Sequence, residues 1–306
     1  MATVRELLTE GLARLLASGS ESARLDTELL LAHALDTERT AILAHDEAPV
    51  GDSAADRYRA ALARRETGEP VAYIRGFKEF HGLAFAVDER ALIPRPETER
   101  LVDLAEAEIV RRLTAAPRPA GAPRLRIVDV GVGCGAVAIA VAAALRRRGM
   151  LDEVEMTATD VAPEAVALAT ENAVAHAVAD AIRIREADLV PGWEVRRWDL
   201  VLANLPYVRT AAMADLPSAT TFEPRLALEG GPDGLAVIGR LLDLLPEVLD
   251  PTGTAMLEIG GDQGAELRAL VEERLPGWSC AVERDLGGLP RVAVVAPGPS
   301  LAGSPA

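Results

Sequence analysis

The sequence predicts an α/β fold in which a helical bundle precedes a mainly parallel sheet and a β-hairpin links the two parts. Three patterns support this prediction. Apolar residues recur at helical spacing up to about residue 66, aromatic residues alternate between Tyr73 and Asp88, and strand-like and helix-like segments alternate after residue 123. With 306 residues, of which 49% are hydrophobic, the chain is long enough for two unequal folding units.

The first part is predicted to be a small helical bundle, because leucines recur at intervals of three and four residues. Its first helix should begin after Thr3, whose hydroxyl can form a capping box with Glu6. Two further short helices are expected over residues 38–44 and 53–66.

The segment 73–88 is predicted to be a hairpin, because Gly76 and Gly82 can turn a chain of alternating residues. A helix should start again near Pro96, which suits a first helical turn. Residues 117–123 are rich in proline and read as a linker-like break.

After that break, strands alternate with helices, which predicts right-handed crossovers and a parallel sheet covered on both faces. The last two strands, joined by a Gly-Gly link, should form an antiparallel pair. This ending is similar to the S-adenosylmethionine methyltransferase fold, a Rossmann-like seven-stranded sheet. The expected strands are 125–130, 154–159, 182–186, 199–203, 254–260, 278–283 and 291–295, and the expected helices are 136–148, 163–177, 235–249 and 265–275.

Composition and charge argue against several classes: secreted, membrane, disulfide-rich, metal-binding and nucleic-acid-binding proteins. Glu6 and Glu10 interrupt the apolar start, which is unlike a secretory signal, and the most apolar run, 136–145, is too short to cross a bilayer. We therefore expect a cytoplasmic protein that does not contact membranes. We also expect it to be a monomer. Cys134 and Cys280 do not cluster with the four histidines, so we expect neither a disulfide framework nor a metal site. The net charge of -15 argues against direct nucleic-acid binding.

A glycine-rich loop is the first candidate site. It lies between an apolar strand and an apolar helix, where backbone can approach a ligand closely, and Asp160 ends the next strand at a spacing suited to ribose hydroxyls. A loose dinucleotide fingerprint also fits, so NAD and a tight turn without ligand stay open as alternatives. Cys134 is interpreted as a packing residue. The predicted cofactor-binding residues of the loop are Gly131, Val132, Gly133, Cys134 and Gly135.

The second candidate site is the run Asn204, Leu205, Pro206 and Tyr207, which follows an apolar strand directly. A polar side chain there points into the ligand crevice of such a sheet. The Asn204 oxygen and the Leu205 carbonyl can accept the two N–H groups of a planar amide or amine and hold its nitrogen for methyl transfer. Tyr207 can stack on the flat group, while Pro206 stiffens the loop. A turn after a buried strand is the structural alternative.

Several motifs together resemble the PrmC/HemK release-factor glutamine methyltransferases, over nearly the whole chain to about residue 295. These motifs are the block over 69–99 that ends in PRPETE, the loop DVGVGCGAVAIAVA, the run NLPYV, and EPRLALEGGPDGL over 223–235. The resemblance implies a helical substrate-recognition domain over 1–72, a hairpin linker over 73–96 and a methyltransferase domain over 97–296. The Pro, Gly and Ser content of residues 297–306 predicts a disordered tail.

The resemblance also implies a reaction and its partners. It implies that S-adenosylmethionine is bound by the glycine loop, Asp160, the Asp188 and Leu189 turn and Asn204, and that residues 204–207 grip the glutamine of the GGQ tripeptide in a class I peptide chain release factor. Leu205 stands where the family has proline, which gives an NLPY that is also similar to rRNA adenine dimethylases. Adenine N6 methylation and a non-catalytic cofactor-binding protein therefore remain alternatives. Glutamine methylation of a ribosomal protein is a further alternative, because a ribosomal-protein glutamine methylase of this family shares most of these motifs.

Overall fold

The computed structural model describes residues 1–115, 121–190 and 197–298. The predicted break over 117–123 falls mostly outside the described residues, and so does nearly all of the predicted disordered tail over 297–306. Within the described part of the chain, no helix is both long enough and apolar enough to span a membrane. The chain divides into two compact units.

The first unit comprises residues 1–78 together with residues 87–89 and 216–223. The predicted capping box is confirmed, since Thr3 Oγ1 accepts from the Glu6 amide and Glu6 Oε2 accepts from the Thr3 amide. The helices pack around a core that includes Tyr58, whose hydroxyl donates to the Leu7 carbonyl at 3.2 Å. Its helices are α1 (Val4–Ala17), α2 (Ala23–Ala34), α3 (Arg39–Ala44), α4 (Asp52–Glu66) and α5 (Val71–Arg75).

The predicted hairpin is confirmed, but it is shorter than the aromatic pattern suggests. Strand β1 (Phe77–Phe80) pairs with β2 (Leu83–Ala86). Residues 71–75 form helix α5 instead of the start of a strand. This helix ends at Gly76, whose left-handed conformation, with φ at 76°, is typical of a helix C-terminus. The aromatic alternation therefore marks the strands correctly but not where they begin.

The second unit holds the predicted alternation of strands and helices, and it comprises residues 79–86, 90–215 and 224–306. A 3-10 turn over Pro96–Thr98 leads into the first of its helices, so Pro96 starts the turn before the α-helix. The helices are α6 (Glu99–Thr114), α7 (Ala136–Arg147), α8 (Pro163–Ala175), α9 (Ala236–Val248) and α10 (Gly264–Arg274). The strands are β3 (Leu125–Val130), β4 (Val154–Asp160), β5 (Ile182–Glu186), β6 (Trp198–Ala203), β7 (Leu249–Glu258), β8 (Ser279–Arg284) and β9 (Pro290–Ala296).

These seven strands form one sheet in the order β5-β4-β3-β6-β7-β9-β8, which confirms the predicted fold class. The first five run parallel, and β9 is antiparallel to both β7 and β8. From β3 the chain moves first to β4 and β5 on one side and then to β6 on the other. The strand order therefore switches direction at β3, and ligands of open α/β sheets bind beyond the carboxyl ends of the strands at such a point.

Candidate active site

A cavity of about 290 Å³ lies at the carboxyl ends of β3, β4 and β6, within the second unit. It brings together most of the site residues predicted from the sequence, although they come from separate loops. The predicted residues that line it are Gly131, Val132, Gly133, Cys134, Asp160, Asp188, Leu189, Asn204, Leu205 and Pro206. Gly135 and Tyr207 are not among its lining residues.

The glycine loop after β3 follows a backbone path that side chains disfavour. Gly131, Gly133 and Gly135 all have positive φ, at 77°, 54° and 90°. A Cβ on Gly133 would meet no atom within 4 Å, so this part of the loop faces open space. A Cβ on Gly135 would lie 2.6 Å from Ile139 Cδ1 in helix α7, which explains why Gly135 serves the packing of the turn and does not line the cavity.

The loop amides are mostly engaged within the protein. The amides of Gly131 and Val132 both donate to the Thr159 carbonyl at 2.8 Å, and the Gly135 amide donates to the Val132 carbonyl. The Gly133 amide donates to Asp160 Oδ2 at 2.9 Å. The glycines therefore allow a close approach of the backbone to a ligand, and these four amides are not free donors.

Asp160 is fixed at the end of β4 by two backbone amides. Its Oδ2 accepts from Gly133, and its Oδ1 accepts from the Ala162 amide at 3.0 Å. Ala162 precedes helix α8 but cannot cap it, because its methyl side chain has no hydrogen-bond acceptor. A carboxylate has about four acceptor positions, so Asp160 retains capacity for ligand hydroxyls.

Asp129 also lines the cavity and was not among the predicted site residues. It is buried in β3, and its Oδ2 accepts from the Ala138 amide at 3.0 Å. Burial, reinforced by the nearby Asp160 charge, raises the pKa of Asp129 to about 7. The sequence does carry a signal, since an acidic residue stands between the apolar Val128 and Val130, two positions before the first glycine of the loop.

Asp188 and Leu189 follow β5 and line the same cavity. Asp188 forms an ion pair with Arg240 at 2.5 Å, and both side chains are more than half exposed. Leu189 is buried with φ at 62°, and its carbonyl accepts from Thr159 Oγ1 at 2.7 Å. The turn is thus held from β4, which keeps its position at the cavity wall.

The Asn204 side chain is oriented by a buried threonine. Its Nδ2 donates to Thr98 Oγ1 at 3.1 Å, while its Oδ1 accepts no hydrogen bond from the described residues. Asn204 lines the cavity, and its side-chain oxygen is therefore a candidate acceptor for a ligand there. Leu205 is buried, and its side chain lies against the glycine loop next to Gly131.

The loop over residues 204–207 is stabilised by hydrogen bonds to residues that come later in the chain. The Gly230 amide donates to the Val208 carbonyl at 2.8 Å, and the Val208 amide donates to the Leu228 carbonyl at 2.9 Å. Gln263 Nε2 donates to the Tyr207 carbonyl at 2.9 Å. The EGGPDG segment therefore holds the end of residues 204–207, the acceptor loop, through backbone hydrogen bonds.

Tyr207 is placed differently from the prediction that it stacks on the acceptor. Its hydroxyl donates to Glu258 Oε1 at 3.4 Å, and its ring packs against the apolar core beside the sheet. Burial raises the pKa of Tyr207 to about 12 and that of Glu258 to about 7. Neither Glu258 nor Thr98 was among the predicted site residues.

Asn172 in helix α8 connects the hairpin to the glycine loop. Its Oδ1 accepts from the Ala86 amide at 2.8 Å, and its Nδ2 donates to the carbonyls of Ala86 and Cys134 at 3.0 and 2.8 Å. Asn172 is almost completely buried. One side-chain amide thus satisfies backbone groups on both the hairpin and the glycine loop.

Known proteins resemble this chain along most of its length. A family model described as the PrmC N-terminal domain matches residues 6–76, and one described as the methyltransferase small domain matches residues 99–222. The release factor glutamine methyltransferase of Moorella thermoacetica is 37% identical over 270 residues, which cover 88% of this chain and 89% of that protein. The chain belongs to the release factor glutamine methyltransferases.

A second relative in this family, from Deinococcus radiodurans, is 35% identical over 288 residues, covering 94% of this chain and 96% of that protein. Among solved structures, the human METTL16 catalytic domain in complex with the MAT2A 3′UTR hairpin 6 matches with a TM-score of 0.52 at 17% identity. This match covers 83% of this chain and 84% of that chain, and it supports the fold alone. The chain is a methyltransferase, and its cofactor is S-adenosylmethionine rather than NAD.

Proposed function

We propose that this methyltransferase transfers the methyl group of S-adenosylmethionine to the side-chain amide nitrogen of the glutamine in the GGQ motif of class I peptide chain release factors. The observation that carries the proposal is the orientation of Asn204. Its Nδ2 donates to Thr98, its Oδ1 accepts no hydrogen bond from the described residues, and Asn204 is one of the residues that line the cavity. An amide N–H group is the matching donor.

Amide nitrogen is a poor nucleophile because its lone pair is delocalised into the carbonyl. Two acceptors, Asn204 Oδ1 and the Leu205 carbonyl, can accept hydrogen bonds from the two N–H groups of the glutamine amide. These bonds would fix the direction of the nitrogen lone pair. The same acceptors stabilise the positive charge that develops on nitrogen as the new bond forms. One of these protons becomes acidic on methylation and leaves to solvent, so no strong base is required beforehand.

The residues around the glycine loop fit the cofactor. Gly133 faces open space, Asp160 has remaining acceptor capacity for ribose hydroxyls, and the Asp188 and Leu189 turn borders the same cavity. S-adenosylmethionine supplies an electrophilic methyl group on a sulfonium when bound. The contribution of the chain is to place the acceptor nitrogen next to this group and to exclude competing nucleophiles.

The N-terminal helical domain over 1–72 is proposed to recognise the release factor, with the hairpin over 73–96 as a linker and the methyltransferase domain over 97–296. The similarity of residues 6–76 to the PrmC N-terminal domain supports this assignment. Because release factors act on ribosomes, the proposed activity implies a cytoplasmic location.

Labelled S-adenosylmethionine tests the proposal directly. The chain is incubated with a class I release factor, with its GGQ→GGA variant and with ribosomal protein, and the products are analysed by mass spectrometry. We expect one methyl group on the GGQ glutamine and none on the alanine variant. Label on a ribosomal protein, on nucleic acid, or equally on both release factors would reject the assignment.

An Asn204→Ala variant links this activity to the site. Removing one acceptor of a transition-state contact is expected to lower kcat by about 100-fold or more, while the affinity for S-adenosylmethionine changes little. Asp180→Ala, on an exposed turn of the second unit, serves as the surface control.

A further inference from the structure

A glutamine that immediately precedes helix α10 is bonded to the backbone of three segments of the second unit. In the described part of the chain, the side chain of Gln263 caps no amide of its own helix. Its Nε2 donates to the Tyr207 carbonyl at 2.9 Å and to the Gly234 carbonyl at 3.4 Å, and its Oε1 accepts from the Gly260 amide at 2.7 Å. The side chain therefore joins the acceptor loop, the EGGPDG segment and the turn after β7.

These contacts leave one orientation for the Gln263 amide. The residue is 1% exposed, so water cannot replace a lost partner. A side-chain amide has two N–H donors and one carbonyl oxygen. Both donors of Gln263 face carbonyls and its oxygen faces an N–H group, so an inverted amide would leave three buried backbone groups without partners.

Glycines let the EGGPDG segment pack directly on the acceptor loop. A Cβ on Gly234 would lie 2.4 Å from the Tyr207 carbonyl oxygen and 2.6 Å from Gln263 Nε2. A Cβ on Gly230 would lie 2.6 Å from the Pro206 carbonyl oxygen and 2.8 Å from Tyr207 Cα. Neither position has room for a side chain, so no gap separates the acceptor loop from its support.

The acceptor loop is held at both of its ends. At one end, the Leu205 side chain packs beside Gly131 of the glycine loop. At the other end, Gln263 holds the Tyr207 carbonyl. The Leu205 carbonyl, one of the two proposed acceptors, lies between these points, and the ring of Pro206 restricts the backbone that joins them.

We infer that Gln263 is a positioning residue, which fixes the acceptor nitrogen relative to the cofactor by holding the Tyr207 carbonyl. This inference rests on the proposed function and extends it to a residue that is not among those lining the cavity. Methyl transfer depends on the alignment of the reacting atoms, and a misplacement of about 1 Å can lower a rate by about 100-fold. The contribution of Gln263 should therefore appear in kcat and not in the affinity for S-adenosylmethionine.

Two substitutions of Gln263 give a kinetic test. Gln263→Met keeps the length of the side chain and removes all three hydrogen bonds, and we expect kcat to fall by about tenfold. Gln263→Glu places a carboxylate oxygen against two carbonyl oxygens, so its kcat should fall further, by about 10- to 100-fold. Both variants should bind S-adenosylmethionine within twofold of the wild type in isothermal titration calorimetry.

Either of two kinetic results would overturn the inference. One is a Gln263→Met or Gln263→Glu enzyme that is as fast as wild type. The other is a loss of cofactor affinity as large as the loss of kcat, which would mean that the whole site is disordered.

Thr254→Val is the matched control for the loss of a buried hydrogen bond. Thr254 is 9% exposed and lies in β7, four residues before the carboxyl end of the strand. Its Oγ1 accepts from Arg112 Nη2 at 3.0 Å. This variant should lose stability but keep the wild-type kcat. If it lowers kcat as much as Gln263→Met does, general destabilisation explains both results and the positioning role is wrong.

Nuclear magnetic resonance provides a readout that does not depend on any substrate. The sequence contains two asparagines, Asn172 and Asn204, and one glutamine, Gln263. In 15N-labelled Gln263→Met, two side-chain NH2 groups remain. We expect the Asn204 signals to shift from their wild-type positions, because the acceptor loop moves, and the Asn172 signals to stay in place. Unchanged Asn204 signals would overturn the inference even if kcat fell.

The two proposals fail in different ways. If wild-type enzyme methylates no release factor while Gln263→Met shifts the Asn204 signals, the substrate assignment is wrong and the positioning role stands. If wild-type enzyme methylates the release factor but Gln263→Met leaves both kcat and the Asn204 signals unchanged, the positioning role is wrong and the substrate assignment stands.

Discussion

A methyl group placed on Gly131 would lie 3.0 Å from Cδ2 of Leu205, so the glycine loop and the acceptor loop are in direct contact through these two residues. Leu205 occupies the position where proline is usual in the family. Its buried side chain supports the glycine loop, while its carbonyl belongs to the proposed acceptor grip. The leucine therefore has a packing role that leaves the backbone acceptor unchanged.

The first prediction concerns Gly131→Ala. The backbone there has φ at 77°, which alanine tolerates poorly, and the added methyl group would press on Leu205. We expect a loss of about 1–2 kcal/mol in the free energy of unfolding and at least a tenfold weaker affinity for S-adenosylmethionine, measured by isothermal titration calorimetry.

Gly149→Ala is the matched control for this substitution. Gly149 also has a positive φ, at 68°, but a Cβ there would meet nothing within 4 Å. It should lose stability and keep the cofactor affinity of the wild type. Equal losses of affinity in both variants would show that Gly131 acts through general destabilisation.

The second prediction concerns Asp160→Asn. Asp160 accepts backbone hydrogen bonds with both oxygens, and an amide can replace only one of them. The NH2 group would face a backbone N–H, and the charge that favours ribose hydroxyls would be lost. We expect the dissociation constant for S-adenosylmethionine to rise by about 10- to 100-fold, corresponding to about 1.4–2.8 kcal/mol. Asp180→Asn, on an exposed turn, should bind as wild type does.

The third prediction is a pH dependence of stability from Asp129. The pKa of this carboxyl is about 7 in the folded chain and near 3.8 when it is free in solution. The folded state therefore holds a proton that the unfolded state releases, and the stabilisation is complete below about pH 4 and is lost as pH rises through 7.

Between pH 5 and pH 8, ionisation of this carboxyl should lower the free energy of unfolding of the wild-type chain by about 2–3 kcal/mol. Asp129→Asn removes the titration, so its free energy of unfolding should fall by less over the same range. Urea denaturation of both proteins at the two pH values measures the difference. Parallel pH profiles would show that Asp129 is ionised in the folded chain.

The fourth prediction separates two roles of Tyr207. Its hydroxyl contact with Glu258 is long, at 3.4 Å, and its ring packs on the core. Tyr207→Phe should therefore keep kcat and KM for the release factor within about threefold, since a bond of this length contributes little. A fall of tenfold or more in kcat would instead mean that the hydroxyl is required for the orientation of the acceptor.

The repeating patterns of the sequence were sufficient for the fold. The apolar strands, the glycine loop and the helices between them are local features, and the structure places the sheet where they predict it. The loops Gly131–Gly135 and Asn204–Pro206 were also predictable as neighbours, because the carboxyl ends of parallel strands meet at one edge of a sheet.

The residues that the sequence did not reveal act through long-range contacts. Thr98 lies 106 positions before the Asn204 that it orients, and neither a threonine before a helix nor a glutamate at the end of a strand is distinctive. Tyr207 was expected to face the acceptor, yet its hydroxyl turns towards Glu258. Which way a side chain turns at the end of a strand depends on the partners that the tertiary structure supplies.

The side-chain amide of Asn172 joins the hairpin to the glycine loop through hydrogen bonds to both. Because one planar group is bonded to Ala86 on one side and to Cys134 on the other, neither backbone segment can shift without pulling on its neighbour. A ligand that stiffens the turn should therefore slow the deuterium uptake of the Ala86 amide, although it need not touch the hairpin. Deuterium uptake at the Ala86 amide therefore reports whether S-adenosylmethionine is bound, although the hairpin lies outside the cofactor cavity.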